Sequence, residues 1–384
     1  MGIFISTGEV SGDLQGSLLI AALKRLDQNL EIVALGGDRM AAAGALLLGN
    51  TSQIGSVGLL EAVPFIWPTF LLQRRAKEYL RQNPPDILVL IDYAGPNLSL
   101  GSYVRQYLPQ VPIVYYIAPQ NWVWSPTNSA TKQVVQISDL LLAIFPEEAR
   151  YFSAHGANVC WVGHPLVDST ISAPTRERAR VELGIEPDEV VIALLPASRY
   201  QEIKYLLPVI CAAAKQIQTK LTKIKLLIPV SLPQYYEHIN NALNMYEIKA
   251  TLLRVKTKEA IAAADLAIAK SGTVNLEIAL LNVPQVVLYR VNPLTAWVAR
   301  KVLKFSIPFM SPPNLVVMKS IVPEFLQEEA TPENIVAESM ELLLNKERRE
   351  QMLVGYEEMR ESLGEVGVCD RAGREILRLA GRHV

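Results

Sequence analysis

The residues best placed to do chemistry cluster in IAKSGTVNLEIALLNVP, residues 268–284, where an apolar run ends on Ser271, Gly272 and Thr273 and passes into a Leu-, Ile- and Ala-rich helix. A helix opening on small residues presents unpaired backbone N–H groups and the positive end of its dipole, which suits phosphate. Glu277 lies one turn further on, on nearly the same face, where a carboxylate could accept hydrogen bonds from two ribose hydroxyls. The set suggests a nucleoside diphosphate. Taken alone it reads more simply as an ordinary strand–helix turn with a Ser/Thr cap and a solvated Glu. Other polar residues end apolar runs: Glu9 after the first, Asp92 at the close of DILVLID, Arg199 after VVIALLPAS, and the loop Pro119–Trp124. Ligands of open α/β sheets sit beyond the carboxyl ends of the strands, so these positions converge on a site. Arg199 could direct its guanidinium at the same phosphates, and a solvated surface arginine explains it as well.

The elements that must position these groups follow from apolar runs alternating with helical periodicity. Strands are expected at Gly2–Thr7, Glu31–Leu35, Asp86–Asp92, Ile113–Ile117, Leu140–Ile144 and Val159–Gly163, then at Val190–Leu195, Lys225–Pro229, Leu252–Val255, Leu266–Ala269 and Gln285–Tyr289. Continuous apolar strands with helices between them require a parallel sheet covered on both faces. Gly8–Asp13 (GEVSGD) reads as a turn, but neither as G-x-G-x-x-G nor as a P-loop. The expected organisation is α/β: a Rossmann-like domain over 1–168, completed by a C-terminal helix near 366–384, and a second Rossmann-like domain over 169–365. Two such domains facing a cleft describe the GT-B architecture. No D-x-D occurs, so metal-independent sugar transfer is expected, with no metal and no cofactor.

Three stretches stand outside that plan. Val57–Leu72 is rich in aromatic and aliphatic residues and abuts Arg74, Arg75 and Lys77. Pro64 and Pro68 make it a poor continuous helix. It suits a membrane-interface segment or a core helix pair with a solvated basic end. Ala118–Trp124 (APQNWVW) carries Trp122 and Trp124 on a loop, which favours ligand contact over core. Ser306–Asn314 (SIPFMSPPN) reads as a proline-rich loop too rigid for a helix.

The totals exclude several classes. At 384 residues two domains are the default, and a net charge of −1 gives no electrostatic case for nucleic acid. Three cysteines at non-ligand spacings read as buried or inert thiols. The chain enters a strand at once, without a signal peptide, and has no uninterrupted apolar run long enough to span a bilayer.

Nine motifs in order resemble the lipid-A-disaccharide synthase family from Gly8 to about Asn334: GEVSGD, VGLLE, PD…ID…N (Pro85 to Asn97), APQNWVW, FPEEARYF, VGHPLVD, LLPASRYQEI, SGTVNLE and PPN…VPEFLQEEATPEN. The resemblance implies transfer of a 2,3-diacylglucosamine unit from its UDP donor to 2,3-diacylglucosamine 1-phosphate, with anomeric inversion and without metal. It implies Asp92 as the base and Arg199 beside the leaving diphosphate. Ser271, Gly272, Thr273 and Glu277 would hold the donor, with Asn314, Glu324 and Gln327 nearby. Glu9, Ser11, Asp13, Asn97, Trp122 and Trp124 fall on the acceptor side. Leu59, Leu60, Phe65, Ile66, Trp67, Phe70 and Leu71 match a membrane-associating patch. A homodimer at the inner face of the cytoplasmic membrane is also implied. Ala197 stands where a glycine usually precedes Ser198-Arg199. The chain also departs from the family at Gly95, where a second acid is usual, and at Ser125-Pro126, where basic residues are usual. These changes remove charge from the acceptor side and leave the donor side intact. A UDP-sugar epimerase, a transferase with another acceptor, and a non-catalytic UDP or lipid-binding homologue remain alternatives.

Overall fold

The computed structural model describes residues 1–51, 59–124, 128–196, 200–230, 232–254, 256–301 and 307–382, without the side chains of residues 9, 59–64, 200, 201, 299 and 300. The chain divides into two compact units, Met1–Ser169 with Ser362–Val384, and Thr170–Glu361.

The first unit holds strands β1 (Gly2–Ser6), β2 (Glu31–Gly36), β3 (Leu46–Asn50), β4 (Ile87–Ile91), β5 (Ile113–Tyr116), β6 (Leu140–Ala143) and β7 (Val159–Trp161) in the order β3-β2-β1-β4-β5-β6-β7. Every pair is parallel. The second holds β8 (Val190–Leu195), β9 (Ile224–Val230), β10 (Ala250–Arg254), β11 (Leu266–Lys270), β12 (Gln285–Tyr289) and β13 (Glu324–Leu326) in the order β10-β9-β8-β11-β12-β13, again all parallel. Both orders are doubly wound, and each reverses direction once, between β1 and β4 and between β8 and β11. At such a switch point the flanking loops diverge and leave a crevice for ligand. β4 and β5 are buried throughout, as two-sided coverage by helices demands. The terminal helix Val368–Leu379 packs on helix Glu9–Leu26 of the same chain, where Arg25 pairs with Asp370 at 2.7 Å.

Four sequence expectations change. GEVSGD is not a turn, because helix Glu9–Leu26 begins at once after Gly8. Its glycines serve close approach: a Cβ at Gly12 would lie 2.0 Å from Thr7 Oγ1, and one at Gly8 would lie 2.4 Å from the Tyr93 ring. The stretch carrying Pro64 and Pro68 is one continuous helix, Leu59–Gln82. Pro68 is solvent-exposed, where water can serve the carbonyl that its missing amide leaves unpaired. Part of the proline-rich loop is helical: Pro312–Val317 forms a short helix whose first two residues are prolines, at positions whose amides would be unpaired anyway. Two strands were missed, β3 and β13. Both are edge strands: β13 is only Glu-Phe-Leu, and in β3 the short run Leu46–Leu48 is cut off at Gly49 and exposes Leu46 to solvent, so neither reads as a buried strand.

Candidate functional site

In the first unit the switch point is built around Asp92 and Tyr93, which take left-handed backbone conformations with φ of 45° and 51°. Such angles cost a non-glycine residue about 1–2 kcal/mol each, so neighbouring bonds must hold them. Asn97, fully buried in the following helix Ala94–Tyr107, does this. Its Nδ2 donates to the carbonyls of Asp92 (2.8 Å), Ile91 (3.0 Å) and Ser6 (3.2 Å), while its Oδ1 accepts from Ser6 Oγ at 2.7 Å. One amide therefore ties the ends of β1 and β4 together. The Tyr115 hydroxyl donates to the Asp92 carbonyl at 2.9 Å, and burial raises its pKa, which keeps it protonated. The Asp92 amide donates to the Ile117 carbonyl at 2.9 Å, and Ile117 is itself left-handed at φ 60°.

That Ile117 turn is fixed from behind by Glu148, which sequence reasoning missed. Its buried carboxylate accepts from the amides of Ala118 (3.0 Å), Ile144 (2.8 Å) and Phe145 (3.3 Å). Desolvation outweighs those donors and raises its pKa to about 7, with the Asp92 charge adding to the rise. Pro146 followed by Glu148 is the sequence of a proline-led helix with an acid at its third position, a signal that was available. His164, buried beside the Phe145 ring, is held neutral with its pKa lowered to about 3 by desolvation. Trp122 also packs on Phe145, ring centroids 5.7 Å apart, so it is anchored in a half-buried loop. Trp124 lies in the same loop and is likewise half-buried.

A cavity of about 770 Å³ opens beside Asp92. Phe65, Ile66 and Phe70 form one wall, and Gly95 lies on another. Ile66, Trp67, Phe70 and Leu71 are exposed, Trp67 to 67%, and the Trp67 and Phe70 rings stack at 5.7 Å. The side chains of Glu9, Leu59 and Leu60, and residues Ser125 and Pro126, lie outside the described set. Asp13 is committed elsewhere: its carboxylate caps the next helix, accepting from the amides of Gly37, Met40 and Arg39 at 2.9, 3.0 and 3.2 Å. Ser11 sits half-buried in the first turns of helix Glu9–Leu26.

The second unit's switch point brings the end of β8 beside Lys270, Ser271, Gly272 and Thr273 at the end of β11. Arg199, just past β8, lies outside the described residues. The structure divides the SGT turn by role. The Ser271 hydroxyl donates to the Met310 carbonyl (2.7 Å) and the Gly272 amide to Asn275 Oδ1 (2.7 Å), so both are spent on the fold. The Thr273 hydroxyl and the amides of Thr273 and Val274 make no hydrogen bond to the described residues. Asn275 is itself held by Gln285, which reaches the Tyr356 hydroxyl, a buried polar network under the turn. Lys270 pairs with the buried Glu202 at 2.8 Å. Glu277 is half-exposed in the helix Val274–Leu280.

Asn314 and Glu324 come together as expected, yet they brace a loop. Glu324 accepts from Asn314 Nδ2 (2.7 Å), Ser311 Oγ (2.6 Å) and the amides of Ser311 and Met310 (2.9 and 2.8 Å). Asn314 Oδ1 accepts from the amides of Ile321 and Val322 at 2.7 and 2.8 Å. Gln327, left-handed at φ 51°, accepts from the Val291 amide at 3.4 Å. These bonds seat Met310 against Ser271.

Among the described residues no helix is long and apolar enough to cross a membrane. In the fold comparison the S. aureus MnaA–UDP co-structure aligns at TM-score 0.69 and 15% identity over 99% of this chain and 97% of that one. The Acinetobacter baumannii MurG crystal structure aligns at TM-score 0.57 and 15% identity, over 98% and 99%. These likenesses show the fold, of the GT-B kind. A lipid-A-disaccharide synthase of Gloeothece citriformis is 62% identical over 381 residues, 98% of this chain and 99% of that protein. The Lipid-A-disaccharide synthetase family pattern matches residues 3–375, which takes in both switch points. With both doubly wound sheets inside that match, the chain belongs to the lipid-A-disaccharide synthase family, glycosyltransferases of lipid A biosynthesis.

Proposed function

We propose that the chain joins UDP-2,3-diacylglucosamine to 2,3-diacylglucosamine 1-phosphate, releasing UDP and the β-1,6 disaccharide. The observation that carries this reading is Asp92, fixed at a switch point by Asn97 and Ile117 and standing at the mouth of a cavity with an apolar wall. A carboxylate so held can take the proton of the acceptor 6-hydroxyl as its oxygen attacks the sugar's anomeric carbon from the face opposite UDP. The negative charge then gathers on the departing diphosphate. Arg199 stabilises it, with the Thr273 hydroxyl and the amides of Thr273 and Val274 as donors to phosphate. Glu277 holds the ribose. Asn314, Glu324 and Ser271 act as positioning residues, since their polar atoms already hold the loop against the turn.

The unit of Met1–Ser169 with Ser362–Val384 takes the acceptor, and Thr170–Glu361 takes the donor. Phe65, Ile66, Trp67, Phe70 and Leu71, with Leu59 and Leu60, rest in the inner face of the cytoplasmic membrane, where a rigid tryptophan prefers the headgroup boundary. A homodimer belongs to the same reading and is checked by solution mass. The test of the reaction is an assay with EDTA, detergent, donor and acceptor, following disaccharide and UDP together. Disaccharide in wild type and about a hundred- to ten-thousandfold less in Asp92→Asn, with UDP binding retained, is the expected result. Full turnover in Asp92→Asn would overturn the base assignment.

A further inference from the structure

The helix wall of the cavity changes character along its length. Ile66, Phe70, Gln73, Arg74 and Lys77 all line it, spaced four, three, one and three residues apart, so they form one stripe about 16 Å long. The stripe is apolar at one end and cationic at the other. Gln73 sits between the two and is only 8% exposed, yet its Oε1 is buried without a hydrogen-bond partner. An orphaned amide oxygen can be satisfied only by an N–H or O–H donor, and none of the described residues supplies one. Lys77 is braced for its place: its Nζ donates to Ser99 Oγ at 2.9 Å and lies 5.6 Å from the centre of the Tyr103 ring. Arg74 is exposed at the cavity wall. At Gly95 the other wall is open, because a Cβ there would meet nothing within 4 Å, and its one acid among the described residues is Asp92.

We propose that Gln73, Arg74 and Lys77 form the subsite for the polar end of the acceptor, the phosphate monoester of an acylated amino sugar. The phosphate lies on Arg74 and Lys77, an amide N–H or sugar hydroxyl donates to Gln73 Oε1, and the acyl chains run along Phe65, Ile66 and Phe70. This rests on the acceptor reading above and adds the residues that select the phosphate. It also accounts for the lack of basic residues at Ser125-Pro126 in the sequence: the cations come from the helix instead.

The test is binding, independent of turnover. Diacylglucosamine 1-phosphate and the same lipid without its phosphate are titrated in detergent micelles into wild type, Arg74→Gln/Lys77→Gln and Gln73→Leu, with UDP titrated separately. Wild type should prefer the phosphorylated lipid. The double variant should lose about ten- to hundredfold in affinity for it, bind the phosphate-free lipid as before, and bind UDP unchanged. Gln73→Leu, close in volume, should weaken both lipids and melt no lower than wild type, because it removes an unpaired buried oxygen. A double variant that keeps the phosphate preference overturns the proposal. So does one that keeps it while losing binding to anionic vesicles, since the cations would then serve lipid headgroups. Disaccharide formation by wild type is scored separately, so failure of the reaction and failure of the subsite are distinguishable.

Discussion

Asn97→Ala removes one fully buried amide that makes four hydrogen bonds. Two amide hydrogens and one accepted bond correspond to about three net interactions, or about 3 kcal/mol at typical values. The Ser6 hydroxyl and the ends of β1 and β4 lose partners where water cannot replace them, adding about 1 kcal/mol more. The expected loss is therefore about 4 kcal/mol out of a usual total of about 5–15. Asp92 and Tyr93 also lose the clamp that offsets their left-handed strain, so kcat should fall even where the protein stays folded. Urea unfolding gives the first quantity, and turnover at a temperature well below the melt gives the second. Asn97→Asp keeps an acceptor for Ser6 Oγ but sets a carboxylate against three carbonyls, so it should be no better. An Asn97→Ala protein within 1 kcal/mol of wild type with unchanged kcat would refute the clamp.

Glu148 has a folded-state pKa near 7 against an ordinary value of 4.5, so the native state holds its proton more tightly than the unfolded chain. Its contribution is thus fully present below pH 4.5 and declines as pH rises to about 7, while His164, depressed from 6.5 to about 3, loses stability as pH falls below 6.5. The difference in unfolding free energy between wild type and Glu148→Gln isolates the Glu148 part. It should slope downward from pH 4.5 to 7, and a flat difference would mean that Glu148 does not titrate there. Trp67→Ser with Phe70→Ser should lower partitioning onto vesicles at least about tenfold and leave UDP binding alone. Arg199→Ala should weaken both UDP binding and turnover, and unchanged kinetics would remove it from the site. Asp265→Ala takes the partner from Arg176, Arg180 and the Val191 amide and should cost about 2 kcal/mol in urea unfolding, with no direct effect on UDP.

Much of the fold was readable because fully buried parallel strands leave apolar runs such as Asp86–Asp92 and Ile113–Ile117. β13 left none in its three residues, and β3 left only Leu46–Leu48 before Gly49, too short to stand out. Proline misled twice, at Pro68 on an exposed helix face and at Pro312-Pro313 at a helix start. In both places local geometry outweighs the average preference. Asp92 was readable as an acid ending a strand. Its support was not, because Asn97, Tyr115, Ile117 and Glu148 meet it only through sheet pairing. Likewise Ser271 and Glu324 stand in motifs, but the sequence could not say that their polar atoms hold a loop. Gln73, Arg74 and Lys77 were noticed only in part, as a basic end to an apolar stretch. The prolines hid the single helix that puts them in line.

Ile117 joins a β-branched side chain to a left-handed backbone. A β-branched residue in the left-handed region is strained, and glycine or asparagine there would relieve the strain. Selection for heat resistance alone would therefore replace Ile117 early. The Asp92 amide would then hang from a looser carbonyl, and the protein would gain melting temperature while its carboxylate wandered. Residue 117 is a place where durability and turnover pull the sequence in opposite directions.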